Sequence, residues 1–197
     1  NGAGGIVVVT GKEVTLSSTA AIDASGTSGG TVLIGGDRAG GSDAARKFLP
    51  QTVANAQTTT IEAGATVTAD GTAGAGGNVV VWSDGTTSFA GAISTQGLRG
   101  GFIETSGHVF NFTGGSVNAG RGGAWLLDPV DLTIDSTLAG TIATALNAGS
   151  NVTQQTDASG SGGNGDITVA SGISWSSDAT LTLSAYRNIA VNSNITS

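Results

Sequence analysis

Hydrophobic and polar positions along this chain fall into short β-prone runs, each opened by a pair of glycines. The runs follow Gly4-Gly5, Gly29-Gly30, Gly76-Gly77, Gly100-Gly101 and Gly122-Gly123. Aligned on the second glycine, the residue two places on is always apolar: Val7, Val32, Val79, Ile103 and Trp125. Four places on stand Val9, Ile34, Val81, Thr105 and Leu127, and between the two sets lie Val8, Leu33, Val80, Glu104 and Leu126. Side chains of a strand alternate between its faces. The two flanking sets therefore point inward, and the position that admits Glu104 points out.

A second phrase recurs late in each unit, with Ile22, Val67, Ile93 and Val117 at one inward position and Ala24, Ala69, Thr95 and Ala119 at the next. Between the phrases lies a weaker apolar segment, represented by Val14-Thr15-Leu16, Ile61, Phe89, Phe110-Asn111-Phe112 and Leu132-Thr133-Ile134. The glycine pairs are 25, 47, 24 and 22 residues apart. Periods of this length mark a solenoid, and about three short strands per unit fit one circuit of a parallel β-helix. The predicted fold is all-β, a parallel β-helix, right-handed by the usual sense of parallel crossovers. Glycines are expected where corners need a positive φ.

The 47-residue interval holds one circuit plus an insertion over residues 37–58, which carries Arg38, Arg46, Lys47 and Pro50. Residues 44–56 read as a short helix or an irregular loop standing off the wall. A short helical excursion is expected over 136–149. Ser136 can cap it, Leu138, Ile142 and Leu146 share one face, and Gly149 can stop it. The polar, Gly/Ser-rich stretch 151–165 reads as a loop, after which strand alternation resumes at Ile167 and Val169. The whole of 1–197 reads as one β-helix segment of a longer protein, with both ends resembling cuts through repeating units.

Composition narrows the function classes. Glycine supplies 34 of 197 residues, more than twice the usual ~7%, yet it is interleaved with β-branched residues at recurring positions, which disorder does not require. The net charge is −7 with scattered basic residues, so no nucleic-acid partner is expected. Cysteine is absent, which removes disulfides, zinc-thiolate sites and cysteine nucleophiles. No apolar run of the ~18 residues needed for a membrane-spanning helix occurs.

Read together and in order, several phrases resemble the filamentous haemagglutinin-like exoproteins of Gram-negative bacteria exported by two-partner secretion. They are Ile34-Gly35-Gly36-Asp37, Thr60-Ile61-Glu62-Ala63-Gly64-Ala65, Gly77-Asn78-Val79-Val80-Val81-Trp82-Ser83-Asp84 and Phe102-Ile103-Glu104-Thr105-Ser106-Gly107. Trp125-Leu126-Leu127-Asp128-Pro129, Gly165-Asp166-Ile167-Thr168-Val169 and Ile173-Ser174-Trp175 complete the set. The resemblance implies a right-handed β-helical rod, secreted to the surface of a Gram-negative bacterium, serving adhesion, aggregation or biofilm matrix. It implies an outer-membrane transporter as export partner, and an extracellular polysaccharide or a host surface glycan or protein as ligand. Self-association of rods is a further partner class. The Asn-Pro-Asn-type motifs of the family's secretion domain do not occur here, so the chain is expected to be body rather than export signal.

Candidate chemistry is thin. Glu62, Asp70, Asp84, Glu104 and Asp128 are acidic wall positions, joined on later turns by Arg99 and Arg121, and a polysaccharide-degrading β-helix would need such carboxylates paired in a groove. Asp84 and His108 each lie seven residues after their glycine pair and are predicted to stack. Gly162-Gly163-Asn164-Gly165-Asp166 is a single defective copy of a calcium nonapeptide. No catalytic, cofactor or metal residues are assigned, and no enzymatic activity is expected. The residues expected to touch a ligand are Arg38, Arg46 and Lys47 on the insertion and Trp82, on the outward phase after its strand. A nutrient-capture exoprotein that binds a host protein through that insertion is the alternative reading.

Overall fold

The structure, a computed structural model, describes residues 2–42, 47–157 and 162–197. It consists mostly of strands in parallel sheets, with one α-helix. The first sheet has seven strands: Ile6–Val9, Thr31–Ile34, Asn78–Val81, Phe102–Thr105, Ala124–Leu127, Asn151–Gln155 and Leu181–Ser184. Its register runs Val7, Val32, Val79, Ile103, Trp125, Val152, Leu181, so the apolar residue two places after each glycine pair forms one continuous column. Columns of like side chains let every added strand repeat the packing of the one below.

A second sheet aligns Glu13–Leu16, Thr58–Ile61, Thr86–Phe89 and Val109–Phe112, with Leu16, Ile61, Phe89 and Phe112 in one column. A third aligns Ala21–Asp23, Thr66–Thr68, Ala92–Ser94 and Ser116–Asn118, with Ile22, Val67, Ile93 and Val117 in column. The inward sets of the three sheets meet in a single core running the length of the molecule. Within it the Trp125 indole donates to Thr105 Oγ1 at 2.9 Å, which satisfies the one hydroxyl that breaks the apolar series in that part of the first sheet.

Four expectations need correction. The first concerns the glycine pairs: a positive φ is found at glycines such as Gly35, Gly64, Gly120 and Gly149, but hardly in the pairs. Gly4, Gly5, Gly29, Gly30, Gly76, Gly77, Gly100, Gly101 and Gly123 do not adopt a positive φ; of the pairs only Gly122 does. Apart from Gly5 and Gly122, where a Cβ would meet nothing within 4 Å, they are glycines because successive turns of backbone nearly touch at this corner. A Cβ on Gly77 would overlap the carbonyl oxygen of Gly30, and one on Gly101 that of Gly77.

The second correction is at Asn151–Gln155, which is a strand and not a loop. Its Val-Thr-Gln-Gln sequence looks polar, but pairing with Ala124–Leu127 turns Val152 and Gln154 inward. Gln154 is fully buried, and both polar atoms of its amide lack a hydrogen-bond partner among the described residues. Unsatisfied buried amides cost about 1–3 kcal/mol. Replacing Gln154 by leucine, the residue type on either side of it in that column (Leu127, Leu183), is expected to raise stability by about 1–2 kcal/mol. Urea denaturation of the variant checks this, and a lower midpoint would show that the amide is satisfied after all.

Third, Leu132–Ile134 does not extend the second sheet. It opens a separate sheet with Ile167–Val169 and Ile189–Val191. A fifth, two-stranded sheet pairs Ile173–Ser174 with Ile195–Thr196.

The α-helix, α1 (Ser136–Asn147), packs on the edge of the third sheet beside Ser116–Asn118. It buries Leu138, Ala139, Ile142, Ala145 and Leu146, and Gly149 follows it at φ 86°. The fourth correction is that its cap is Asp135 rather than Ser136. The Asp135 carboxylate accepts from the backbone N–H groups of Thr137 and Leu138 at 3.0 and 2.9 Å. Asp135→Ala is expected to lower stability by about 1 kcal/mol, read from the thermal midpoint, while Ser136→Ala should leave it almost unchanged.

Candidate functional site

The site grows out of the outward-facing column of the first sheet. Val8 is 41% exposed there, but Leu33, Val80 and Glu104 in the same column have no exposed surface. They are covered by residues 37–42 and 47–58, which lie against the wall instead of standing off it. Gly35, at φ 75°, turns the chain outward, and the N–H of Ala56 donates to the Gly35 carbonyl at 2.7 Å, closing the neck of the excursion. Leu49 completes a second small core with Leu33 and Val80, flanked by Phe48, Val53 and Trp82.

Asp37 organises this segment. Buried to 1% exposure, it accepts from the backbone N–H groups of Arg38 at 2.7 Å, Phe48 at 2.9 Å and Leu49 at 3.1 Å. One carboxylate thus ties the start of the excursion to its middle. Arg38–Gly41 then forms a tight 3₁₀ turn in which Ala39 takes φ 50°, a conformation disfavoured for a residue with a Cβ. That turn aims the Ala39 N–H at both carboxylate oxygens of Glu104, each 3.2 Å away.

Burial raises the Glu104 carboxyl to about 7. The Ala39 N–H opposes the rise, Asp128 adds to it, and Arg38 and Ser106 oppose it. The Arg38 guanidinium lies 4.3 Å from the centre of the Phe102 ring, and Phe48 meets the same ring at 5.7 Å.

Beside the turn lies a cleft of about 390 Å³, floored by Trp82 and lined by Gly40, Ser42, Asn55, Asp84, His108 and Asp128 among others. The Trp82 indole lies against Gly36 and Gly40, where a Cβ would collide with it. Its Nε1–H donates to Asp84 Oδ1 at 3.0 Å, and the Asn55 amide donates to the same oxygen at 2.9 Å and to the Gly40 carbonyl at 2.9 Å. Half-buried, the Trp82 ring presents only part of its surface to the cleft. An aromatic edge with fixed carboxylate and amide groups is suited to holding a polar ligand by hydrogen bonds around an apolar contact.

The four residues expected to touch a ligand have different fates. Trp82 lines the cleft, whereas Arg38 sits over Phe102. The Lys47 ammonium donates to the Pro50 carbonyl at 3.1 Å, and Arg46 lies outside the described residues. Asp84 and His108 line the same cleft, joined by Asp128. Other acidic candidates are engaged elsewhere. Glu62 accepts from the Ser18 N–H, Asp70 from Ser94 and Gln96, and Arg121 pairs with Asp178 on the surface. Asp166 forks onto Arg187, whose guanidinium holds the carboxyl down at about 2. Among the described residues no three His, Asp or Glu side chains converge in a way that could hold a metal ion.

Sequence reasoning missed Asp37 and the burial of Glu104. A signal for the burial existed: both outward residues flanking the long interval, Leu33 and Val80, are apolar, and the interval supplies Phe48-Leu49. No protein-family model matches the chain, and no curated protein matches it either.

Proposed function

We propose that this chain is a segment of a secreted, cell-surface bacterial adhesin, a right-handed parallel β-helix with about three strands per coil, acting as a stiff rod in adhesion, aggregation or biofilm matrix. The observation that supports the reading most is the seven-residue column from Val7 to Leu181. A shape whose every added strand makes the same interface as the last can be lengthened without redesign. Repetition of weak contacts along it converts them into avidity. The ligand would be an extracellular polysaccharide or a host surface glycan or protein, export would use an outer-membrane transporter, and neither catalysis nor a cofactor enters this reading.

The cleft at Trp82 is the contact site this reading assigns. A host-protein ligand is favoured over a glycan if the contact spreads from the cleft across the exposed rim of the covering segment. Removing 37–58 is a poor test, because it would expose Leu33, Val80 and Glu104 together. The better test displays the intact chain on non-adherent bacterial cells and measures their aggregation and their retention on polysaccharide-coated and host-cell surfaces. Retention that falls when the exposed rim residue Ser42 is replaced by arginine supports the cleft. Cells that settle and wash off like undecorated ones would dismiss the adhesin reading.

A further inference from the structure

The wall of the molecule is split where the second sheet ends, and the cause is a phase error of one residue. The Val130 N–H donates to the His108 carbonyl at 3.2 Å, in the position that the Val109 N–H occupies toward the Gly85 carbonyl one turn earlier. Continued pairing from that bond would set Leu132 beside Asn111. Asn111 is exposed and outward, whereas Leu132 and Ile134 are buried and inward. A strand displaced by one residue presents its opposite face, so the two strands cannot pair and keep Leu132 in the core. They diverge.

Among the described residues no strand pairs with the free edge of Val109–Phe112, nor with that of Leu132–Ile134. Between the edges lies a groove of about 510 Å³. Its floor is apolar. Phe110 and Phe112 belong to inward columns whose earlier members are closed off, at 0% exposure for Thr59, Thr87 and Phe89 and 1% for Ile61, yet both phenylalanines are only half-buried. They meet at a tilt with ring centres 6.2 Å apart, and Phe112 stacks with Phe89 at 5.9 Å. Leu132 and Leu138 complete the floor. The outer rim is acidic on the Leu132–Ile134 side, where Asp131, Thr133 and Asp135 alternate with the buried residues and are exposed. Among the described residues no basic side chain lines the groove.

We propose that this slot is a docking site for an extended peptide segment of a partner protein, added as a strand beside Val109–Phe112, with apolar side chains at alternate positions and basic ones between them. An unpaired edge supplies backbone donors and acceptors for strand addition, and pockets for alternate side chains give selectivity. Inward side chains of the guest would cover Phe110 and Phe112, continuing the columns that the phase error interrupts. Outward side chains would stand beside Asp131, Thr133 and Asp135, which favours positive charge in a chain whose net charge is −7. This proposal is independent of the cleft at Trp82 and of the adhesin reading.

The test uses the full chain and acetyl-Lys-Val-Lys-Val-Lys-Val-amide as probe, followed by calorimetry and by NMR of the backbone amides. The expected result is one site, with the Phe110 and Phe112 amide signals shifted and protected from exchange. Binding should be lost to the fully N-methylated peptide and be at least about tenfold weaker for the peptide with glutamate in place of lysine. Thr133→Lys, at an exposed position, should weaken the lysine peptide and narrow its advantage over the glutamate peptide, since one ammonium offsets part of the charge of Asp131 and Asp135. The proposal is overturned if the two charged peptides bind alike, if no binding appears at about millimolar peptide, or if the shifted amides lie on another face. It is also overturned if Phe110 and Phe112 are already protected in a dimer without peptide, since a second copy would then be the occupant.

Discussion

Gly101→Ala is expected to destabilise the protein by about 3 kcal/mol or more, with a urea midpoint lowered in proportion, while Gly5→Ala changes it by no more than about 0.5 kcal/mol. Both are the second glycine of a pair, and neither has a positive φ. They differ in what lies underneath. A Cβ on Gly101 would overlap the Gly77 carbonyl oxygen and come within 2.8 Å of the Gly76 carbonyl carbon, whereas one on Gly5 meets nothing within 4 Å. The obstructing atoms are backbone and cannot rotate away. The turn must instead lift off its neighbour, which stretches the Phe102 N–H bond to the Gly77 carbonyl, now 2.9 Å, and the pairings beyond it. Both variants gain the same stiffening of the unfolded chain, so their difference isolates the overlap. Equal midpoints would mean that the turns are not stacked this closely.

The contrast between these two glycines shows what could be read from the sequence and what could not. A repeat of period near 24 with apolar residues at fixed offsets specifies columns, and the columns of Val7, Ile22 and Leu16 follow from it directly. The same alternation says which way Glu104 points but not what lies over it, because Leu33, Val80 and Glu104 are covered by residues such as Phe48 and Leu49 that are distant along the chain. Asn151–Gln155 was opaque for a related reason: its strand character comes from pairing with Ala124–Leu127 and not from its own composition. The split wall depends on a single-residue change of phase after Pro129, too small to disturb a count of apolar positions. At the site, Trp82, Asp84 and His108 were legible from their offsets to the glycine pairs. Asp37 was not, since all the bonds that make it an organiser go to backbone N–H groups, which carry no sequence signature.

Glu104→Gln should remove a pH dependence of about 3 kcal/mol from the stability of the protein. The folded carboxyl sits at about 7 against 4.5 for an ordinary glutamate, chiefly because burial disfavours the charged form. Below pH 4.5 the group is protonated folded and unfolded, and it makes no difference. Between 4.5 and about 7 the unfolded chain releases the proton and the folded chain keeps it, so stability falls by about 1.4 kcal/mol per pH unit. Above about 7 both forms are ionised, and the penalty levels off.

Asp166 and Asp23 act in the opposite sense. Their carboxyls are lowered, by Arg187 and by hydrogen bonds from Ser25 and Thr68 respectively, so their contribution is lost on acidification. Both are unchanged in the variant and cancel in the difference. The glutamine carbonyl can accept from the Ala39 N–H as the carboxylate does, so the left-handed turn at Ala39 should be kept. The difference in unfolding free energy between Glu104→Gln and the unaltered protein is therefore expected to grow by about 3 kcal/mol in favour of glutamine between pH 4 and pH 8. A difference that stays flat over that range would place the Glu104 carboxylate in contact with water, and the covering segment off the wall.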